Sequence, residues 1–197
     1  MAIFQDGTGK GFSGKIGSDN RFWTDSVIKT KSQDGSLNGR SYNINTGSVT
    51  LTSANKSALL YVVNNGTADL VIETLFYLIG NSTGGSGNVI ITVLRNPTAG
   101  TIISGASNCE MAGINRNFGS NNTLTASMYK GAEASTFTDG TKVIESIFNQ
   151  AATRAAIDVG YIVLKKGSSI GIDITPATGN TSLNVEFAMN IFERENT

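Results

Sequence analysis

The sequence predicts an all-β chain: an antiparallel β-sandwich, jelly-roll-like, with an extended N-terminal arm. Three observations predict it. The first is composition: 23 of the 197 residues are glycine and about 60 are Asn, Ser or Thr, which suits turns between short strands better than helices. The second is period, because apolar residues recur at every second position in several runs near the C-terminus. The third is a change of pattern near residue 45, before which apolar residues are sparse and follow neither a period of 2 nor one of 3.6. These observations place an arm at residues 1–45 and a sandwich domain at residues 46–197, which is enough chain to bury one core.

The arm carries isolated aromatic residues, Phe4, Phe12, Phe22, Trp23 and Tyr42, among Gly, Ser, Asp and Asn. Such a segment cannot bury itself. Phe4, Phe12, Phe22 and Trp23 are therefore the expected anchors, either on the arm's own domain or on a neighbouring molecule.

From residue 46 on, short apolar runs alternate with turn residues. Ser48 to Thr52 alternates, and Ala58 to Val63 runs into Asn64-Asn65-Gly66, read as a hairpin turn with positive φ. Leu70 to Ile79 and Asn88 to Arg95 are long β-type runs, the second stopped by Asn96-Pro97, and the glycine-rich Gly80 to Gly87 between them reads as an exposed hairpin tip. Thr101 to Ile103 is a short candidate strand. The stretch TKVIESIFNQAATRAAI, residues 141–157, fits both a helix, with Val143, Ile144, Ile147, Phe148, Ala151 and Ala152 on one side, and in its first half an alternating strand. The clearest strands come last. Ile170, Ile172 and Ile174 share one face of IGIDIT; in LNVEFAMNIF, Leu183, Val185, Phe187, Met189 and Ile191 face one way while Asn184, Glu186 and Asn190 face the other.

Function is bounded mainly by what is missing. Fifteen basic residues balance fifteen acidic ones, and charged residues make up 15% of the chain, against roughly 25% in ordinary soluble domains. No basic excess exists to attract nucleic acid or an acidic membrane surface. The apolar runs fall short of the ~20 residues that span a bilayer, and no secretory signal pattern opens the sequence, so synthesis in a cytoplasm is expected. The absence of histidine removes Ser-His-Asp and Cys-His relays, imidazole metal sites and histidine acid-base catalysis. The single cysteine, Cys109, is read as a small buried or half-buried side chain, and no cofactor or metal is expected. Paired carboxylates would still permit glycan cleavage, but Glu73, Glu110, Glu133, Asp158, Asp173 and Glu186 show no recognisable pairing and read as solvated acids. No enzyme is expected.

One motif argues the other way. GTGKGFSGKIG, residues 7–17, satisfies G-x-G-x-x-G and G-x-x-x-x-G-K together, patterns in which backbone N–H groups cradle a phosphate. It lacks a preceding strand and a following helix, and Ile16 stands where a magnesium-binding Ser or Thr is required. The glycines read instead as a tether, able to lie close along a neighbour while Phe12 fills a pocket.

Three stretches, SYNINTGSVTLTSANKSALLYVVNN, LFYLIGNSTGGSGNVIITVLRNPTAGTII and DVGYIVLKKGSSIGIDITPATGNTSLNVEFAMNIFE, resemble tailed-bacteriophage virion proteins over about residues 41–193. The resemblance implies a β-sandwich with an N-terminal arm, a structural place in head or tail, a strand at Lys142 to Asn149, and no catalytic residues. It leads to two expectations. The first is a capsid decoration or cement protein in the virion, a homotrimer that binds the major capsid protein or another virion protein through its arm. The second is a tail or fibre component whose loops at Gly80 to Gly87 and Asn115 to Asn122 touch a host glycan or protein.

Overall fold

The computed structural model describes residues 3–5, 11–13, 15–16, 22–23, 30–80, 83–104, 109–149 and 153–194; the backbone alone is described at 3–23, 109–110 and 153–161 within these segments. The chain divides into two compact units, Met1–Thr30 and Lys31–Thr197. In the smaller unit β1 (Ile3–Gln5) pairs antiparallel with β2 (Gly11–Ser13), and β3 (Lys15–Ile16) with β4 (Phe22–Trp23).

The larger unit begins with a short helix, α1 (Lys31–Leu37). There follow β5 (Ser41–Asn45), β6 (Val49–Leu51), β7 (Ser57–Asn64), β8 (Asp69–Ile79) and β9 (Asn88–Arg95). A long connection holds α2 (Thr101–Ser104), β10 (Cys109–Glu110), β11 (Ile114–Asn115) and β12 (Ala126–Lys130). The last strands are β13 (Thr141–Asn149), β14 (Thr153–Leu164), β15 (Ser169–Thr175) and β16 (Leu183–Arg194).

Two antiparallel sheets result. One runs β10-β12-β7-β15-β9-β13, and the other runs β11-β5-β16-β8-β14 with β6 also paired to β16. Taking β5 and β6 as one interrupted strand, the principal strands number eight in chain order: first, eighth, third and sixth lie side by side in one sheet, and second, seventh, fourth and fifth in the other. That interleaving of two Greek keys is a jelly roll.

One core lies between the sheets. It takes Ile44, Ile72, Leu75, Ile79, Phe187 and Met189 from one side and Leu60, Val62, Ile91, Val93, Ile170 and Ile172 from the other. The alternating residues of β16 supply it as expected: Leu183, Val185, Phe187, Met189 and Ile191 are all buried. Residues 31–45, grouped above with the arm, fold with this unit, because Tyr42 and Ile44 are fully buried and Ser41–Asn45 is hydrogen-bonded along β16.

Several local expectations are corrected by this topology. Asn64-Asn65-Gly66 does not turn a hairpin; it leads from β7 in one sheet to β8 in the other, and positive φ is recorded at neither Asn65 nor Gly66. Asn64 explains the exit. Its side chain is buried, donates to the carbonyls of Ala68 (2.9 Å) and Leu164 (2.8 Å), and accepts from the Gly66 N–H (2.9 Å). Such an Asx-type turn satisfies backbone groups that a ladder would otherwise claim. Gly80 to Gly87 likewise crosses between sheets, and its described part is bridged to the β15–β16 connection through Thr83 and Ser182 and through Ser86 and Thr178. Thr101 to Ile103 belongs to the helix α2, not a strand. The ambiguous stretch resolves as strand at Thr141–Asn149, where Ile144, Ser146 and Phe148 are half-buried while Val143, Glu145 and Ile147 are exposed, a period of 2. A strand does precede the glycine motif, β1 at Ile3–Gln5, against expectation; within the motif Gly11–Ser13 and Lys15–Ile16 are strands and the rest lies outside the described residues, so the described part contains no helix for a phosphate.

Candidate interaction surfaces

A sandwich strand buries one side and offers the other, so the two outer sheet faces are the surfaces to compare. They differ sharply. On β15 the outward residues are Gly171 and Asp173, yet both are buried. The cover is the chain's own β9–β13 connection. Tyr61 on β7 stacks with its cross-strand neighbour Tyr129 of β12 (ring centroids 6.0 Å apart) and meets Phe137 of the cover (6.1 Å), while Ala58, Tyr61 and Ile102 form a second buried cluster. Phe137 and Pro97 press so closely on β15 that a β-carbon at position 171 would lie 2.6 Å from the Phe137 ring.

The expectation that Asp173 is a solvated acid is corrected by the same cover. Its side chain is 1% exposed, with the Lys56 ammonium 2.8 Å from Oδ2, and neither carboxylate oxygen receives a well-directed hydrogen bond. Burial raises its pKa, and Lys56 opposes that shift without overcoming it. The other acids act mainly as clamps. Asp69 is held by Lys165 (2.6 Å) and Arg194 (2.8 Å), whose hydrogen bonds pull its pKa down. Glu133 accepts from the N–H and hydroxyl of Thr52, and Asp139 from the N–H groups of Thr98 and Ala99; hydrogen bonding lowers both pKa values. Glu73 accepts from the Ser32 hydroxyl at 2.7 Å. Glu110 and Asp158 lie on β10 and β14, and their side chains, like that of Cys109, lie outside the described residues. Among the described residues no group of three His, Cys, Asp or Glu is gathered as a metal site, and no helix is long and apolar enough to cross a membrane.

Among the described residues of the larger unit, the outer face of the other sheet is covered only at one end. At one end α1 covers it, placing Gly35 against Phe192 and Ser41. Beyond α1 the outward residues fall into rows fixed by register: Asn43, Asn190 and Thr74; then Asn45, Ala188 and Phe76; then Glu186 and Leu78; then Thr50 and Asn184. Cross-strand hydrogen bonds tie the amides. Asn43 donates to Asn190 (3.0 Å), Asn45 to Glu186 (2.8 Å), and Thr50 to Asn184 (2.6 Å). Asn43, Asn45, Phe76, Leu78, Glu186 and Ala188 line a shallow depression of about 430 Å³. Sequence reasoning identified the wet side of β16 through Asn184, Glu186 and Asn190 but missed its partners, although Asn43 and Asn45 in SYNIN carry the same alternation.

The loop at Asn115 to Asn122 spends its amides on structure. Asn115 and Asn122 donate to the Gly39 carbonyl and Asn117 to that of Leu37, which leaves Phe118 exposed. The expected anchors lie in the smaller unit, where Phe4 is the register partner of Phe12, Phe22 of Ile16 and Trp23 of Lys15. Their side chains lie outside the described residues.

No family model and no curated protein matches the chain. A structure of deformed wing virus carrying the GFP gene is similar at 8% identity and a TM-score of 0.30, over 88% of this chain and 90% of that one. The 2.6 Å structure of infectious bursal virus derived T=1 particles is similar at 9% identity and a TM-score of 0.21, over 80% of this chain and 40% of that one. The jelly-roll assignment stands on the strand order of this chain.

Proposed function

We propose that this chain is a structural protein of a virus particle, a capsid decoration or cement protein that docks through its N-terminal residues and works as a homotrimer. The observation that carries the reading is the jelly roll itself, with Asp69, Glu133 and Asp139 tying its loops and ends and one outer face covered over β7, β15 and β9 by its own connection. Jelly rolls serve as viral capsid, lectin and cupin domains, and the resemblance to tailed-bacteriophage virion proteins favours the first. Phe4, Phe12, Phe22 and Trp23 are the anchors in this reading. Repeated copies of a weak contact would sum to firm attachment. With no net charge, the contacts are apolar and backbone in kind and persist in high salt.

The test is cosedimentation with particles stripped of this component, using the full chain, a Phe4→Ala/Phe12→Ala/Phe22→Ala/Trp23→Ala variant, and a chain starting at Lys31, the first residue of the larger unit. Saturable binding by the full chain that survives about molar salt and is lost in the other two supports the reading. Binding that is unchanged in the variant removes the anchors; no binding at all removes the cement role. A second reading, a tail or fibre component touching a host surface, draws support from the open face of β5, β16 and β8.

A further inference from the structure

We infer that the open depression on β5, β16 and β8 is a binding site for an uncharged pyranose oligosaccharide. The inference rests on the second reading above and names its ligand class. Its first ground is the set of paired amides. A primary amide carries two N–H donors and a carbonyl with two lone pairs, and the pairings of Asn43 with Asn190 and of Asn45 with Glu186 use one donor on each donating residue and one lone pair on each accepting one. The Asn45 side-chain oxygen also accepts from the Gly47 N–H; the remaining donors and acceptors sit on adjacent strands in a geometry set by the sheet. Sugar hydroxyls both donate and accept, and neighbouring hydroxyls can bridge such groups, so a preorganised amide row loses little freedom on binding.

The second ground is the apolar strip beside them. Phe76 is half-buried, Leu78 is 45% exposed, and Ala188 lies between Asn45 and Phe76 in register. A pyranose has one face of C–H groups, which are weakly positive and fit against the negative face of an aromatic ring. Amides and an aromatic residue alternating on one surface match a ligand whose own polar and apolar edges alternate. They match a protein partner less well, since a stable interface buries ~800 Å² per side around an apolar centre depleted in charge, and here Asn45 and Glu186 interrupt the strip.

Charge decides between sugar classes. Among the described lining residues Glu186 is the one side chain charged at neutral pH, and it is bonded to Asn45. Among the described residues no Lys or Arg lines the depression, while phosphate and sulfate sites are typically built with such cations. On the next strand the backbone register sets Arg154 opposite Leu78 and Asp158 opposite Thr74, and their side chains lie outside the described residues. The volume of about 430 Å³ falls within the ~300–1,000 Å³ of small-ligand sites.

The experiment is an NMR titration of the ¹⁵N-labelled full chain with maltotriose, cellotriose and chitotriose, and with a sulfated heparin disaccharide as the charged comparison. Saturable shifts at residues 43–45, 76–78 and 186–188 are expected with at least one neutral trisaccharide and not with the sulfated one. Phe76→Ala and Asn45→Ala, both at positions outside the core, should each weaken that binding by about tenfold while leaving the remaining spectrum in place. Absence of these shifts with all three neutral sugars up to about 20 mM, an equal response to the sulfated sugar, or undiminished binding by Phe76→Ala would each overturn the inference. Particle cosedimentation of Phe76→Ala separates the two readings. Retained particle binding with lost sugar binding leaves the cement role standing by itself, and lost particle binding with no sugar response assigns the face to a protein contact and overturns the inference.

Discussion

Replacing Gly171 by alanine puts a methyl group where the connection between β9 and β13 rests on the sheet. The new β-carbon would lie 2.6 Å and 2.7 Å from two carbons of the Phe137 ring and 2.9 Å from the Pro97 ring, well inside contact distance. Phe137 must swing away, and its packing on Tyr61, 6.1 Å between centroids, is lost with it. Overpacking of this kind costs about 1–3 kcal/mol. Against that, alanine restricts the unfolded chain and regains about 0.4–1 kcal/mol, since Gly171 has no positive φ that alanine would resist. A net loss of about 1–2 kcal/mol is expected in urea denaturation. In a Phe137→Ala background the principal obstruction is gone, so the same substitution should cost at least about 1 kcal/mol less. Gly119→Ala, whose β-carbon meets nothing closer than 3.6 Å, should stay within about 0.5 kcal/mol of the parent. Equal costs of Gly171→Ala in both backgrounds would refute the packing of this cover on β15, and with it the claimed difference between the two outer faces.

Three further outcomes follow from named groups. Asn64→Ala leaves the carbonyls of Ala68 and Leu164 without their donor and should destabilise by about 2–4 kcal/mol; a loss under about 0.5 kcal/mol would mean that the crossover does not depend on it. Asp173 has a raised folded pKa, so the folded state holds its proton more tightly and stability from this residue falls as pH rises from the unfolded value through the folded one. Asp173→Asn should therefore be more stable than the parent at pH 7, with the difference vanishing as denaturation is repeated towards about pH 4. Asp69 behaves oppositely: Lys165 and Arg194 lower its pKa, so its contribution is present above the unfolded pKa and is lost as pH falls through the folded one, and Asp69→Asn should flatten the acid limb of a stability-versus-pH curve.

Local period and composition carried the strands themselves. The alternation in β15 and β16 was plain because a side-chain period of 2 with one dry face leaves a direct imprint on residue type. The same imprint marked Asn184, Glu186 and Asn190 as the wet side of β16, which is half of the candidate site. What it could not reveal was which strands become neighbours: Asn43 and Asn45 lie more than a hundred residues from the Asn190 and Glu186 side chains that they bind. Turn chemistry misled for a related reason. Asn64-Asn65-Gly66 and Gly80 to Gly87 carry the residues of tight turns, but a loop that crosses to the opposite sheet uses the same residues as a hairpin, and the choice depends on where the two strands find their partners. Thr101 to Ile103, too short for a period, was settled as a helix against the outer cluster of Ala58 and Tyr61.

By itself, then, the sequence determined an all-β class, a neutral surface without histidine chemistry, and the inward and outward sides of the clearest strands, because these depend on residue type and on spacing along the chain. The tertiary structure alone decided that the strands interleave as a jelly roll, that Asp173 is buried although its neighbours in the strand mark it as outward, and that the two outer faces are covered differently by the described residues. Those outcomes depend on contacts between residues far apart in the chain, where the β9–β13 connection covers β7, β15 and β9 in one sheet and, among the described residues, α1 covers the end of the other.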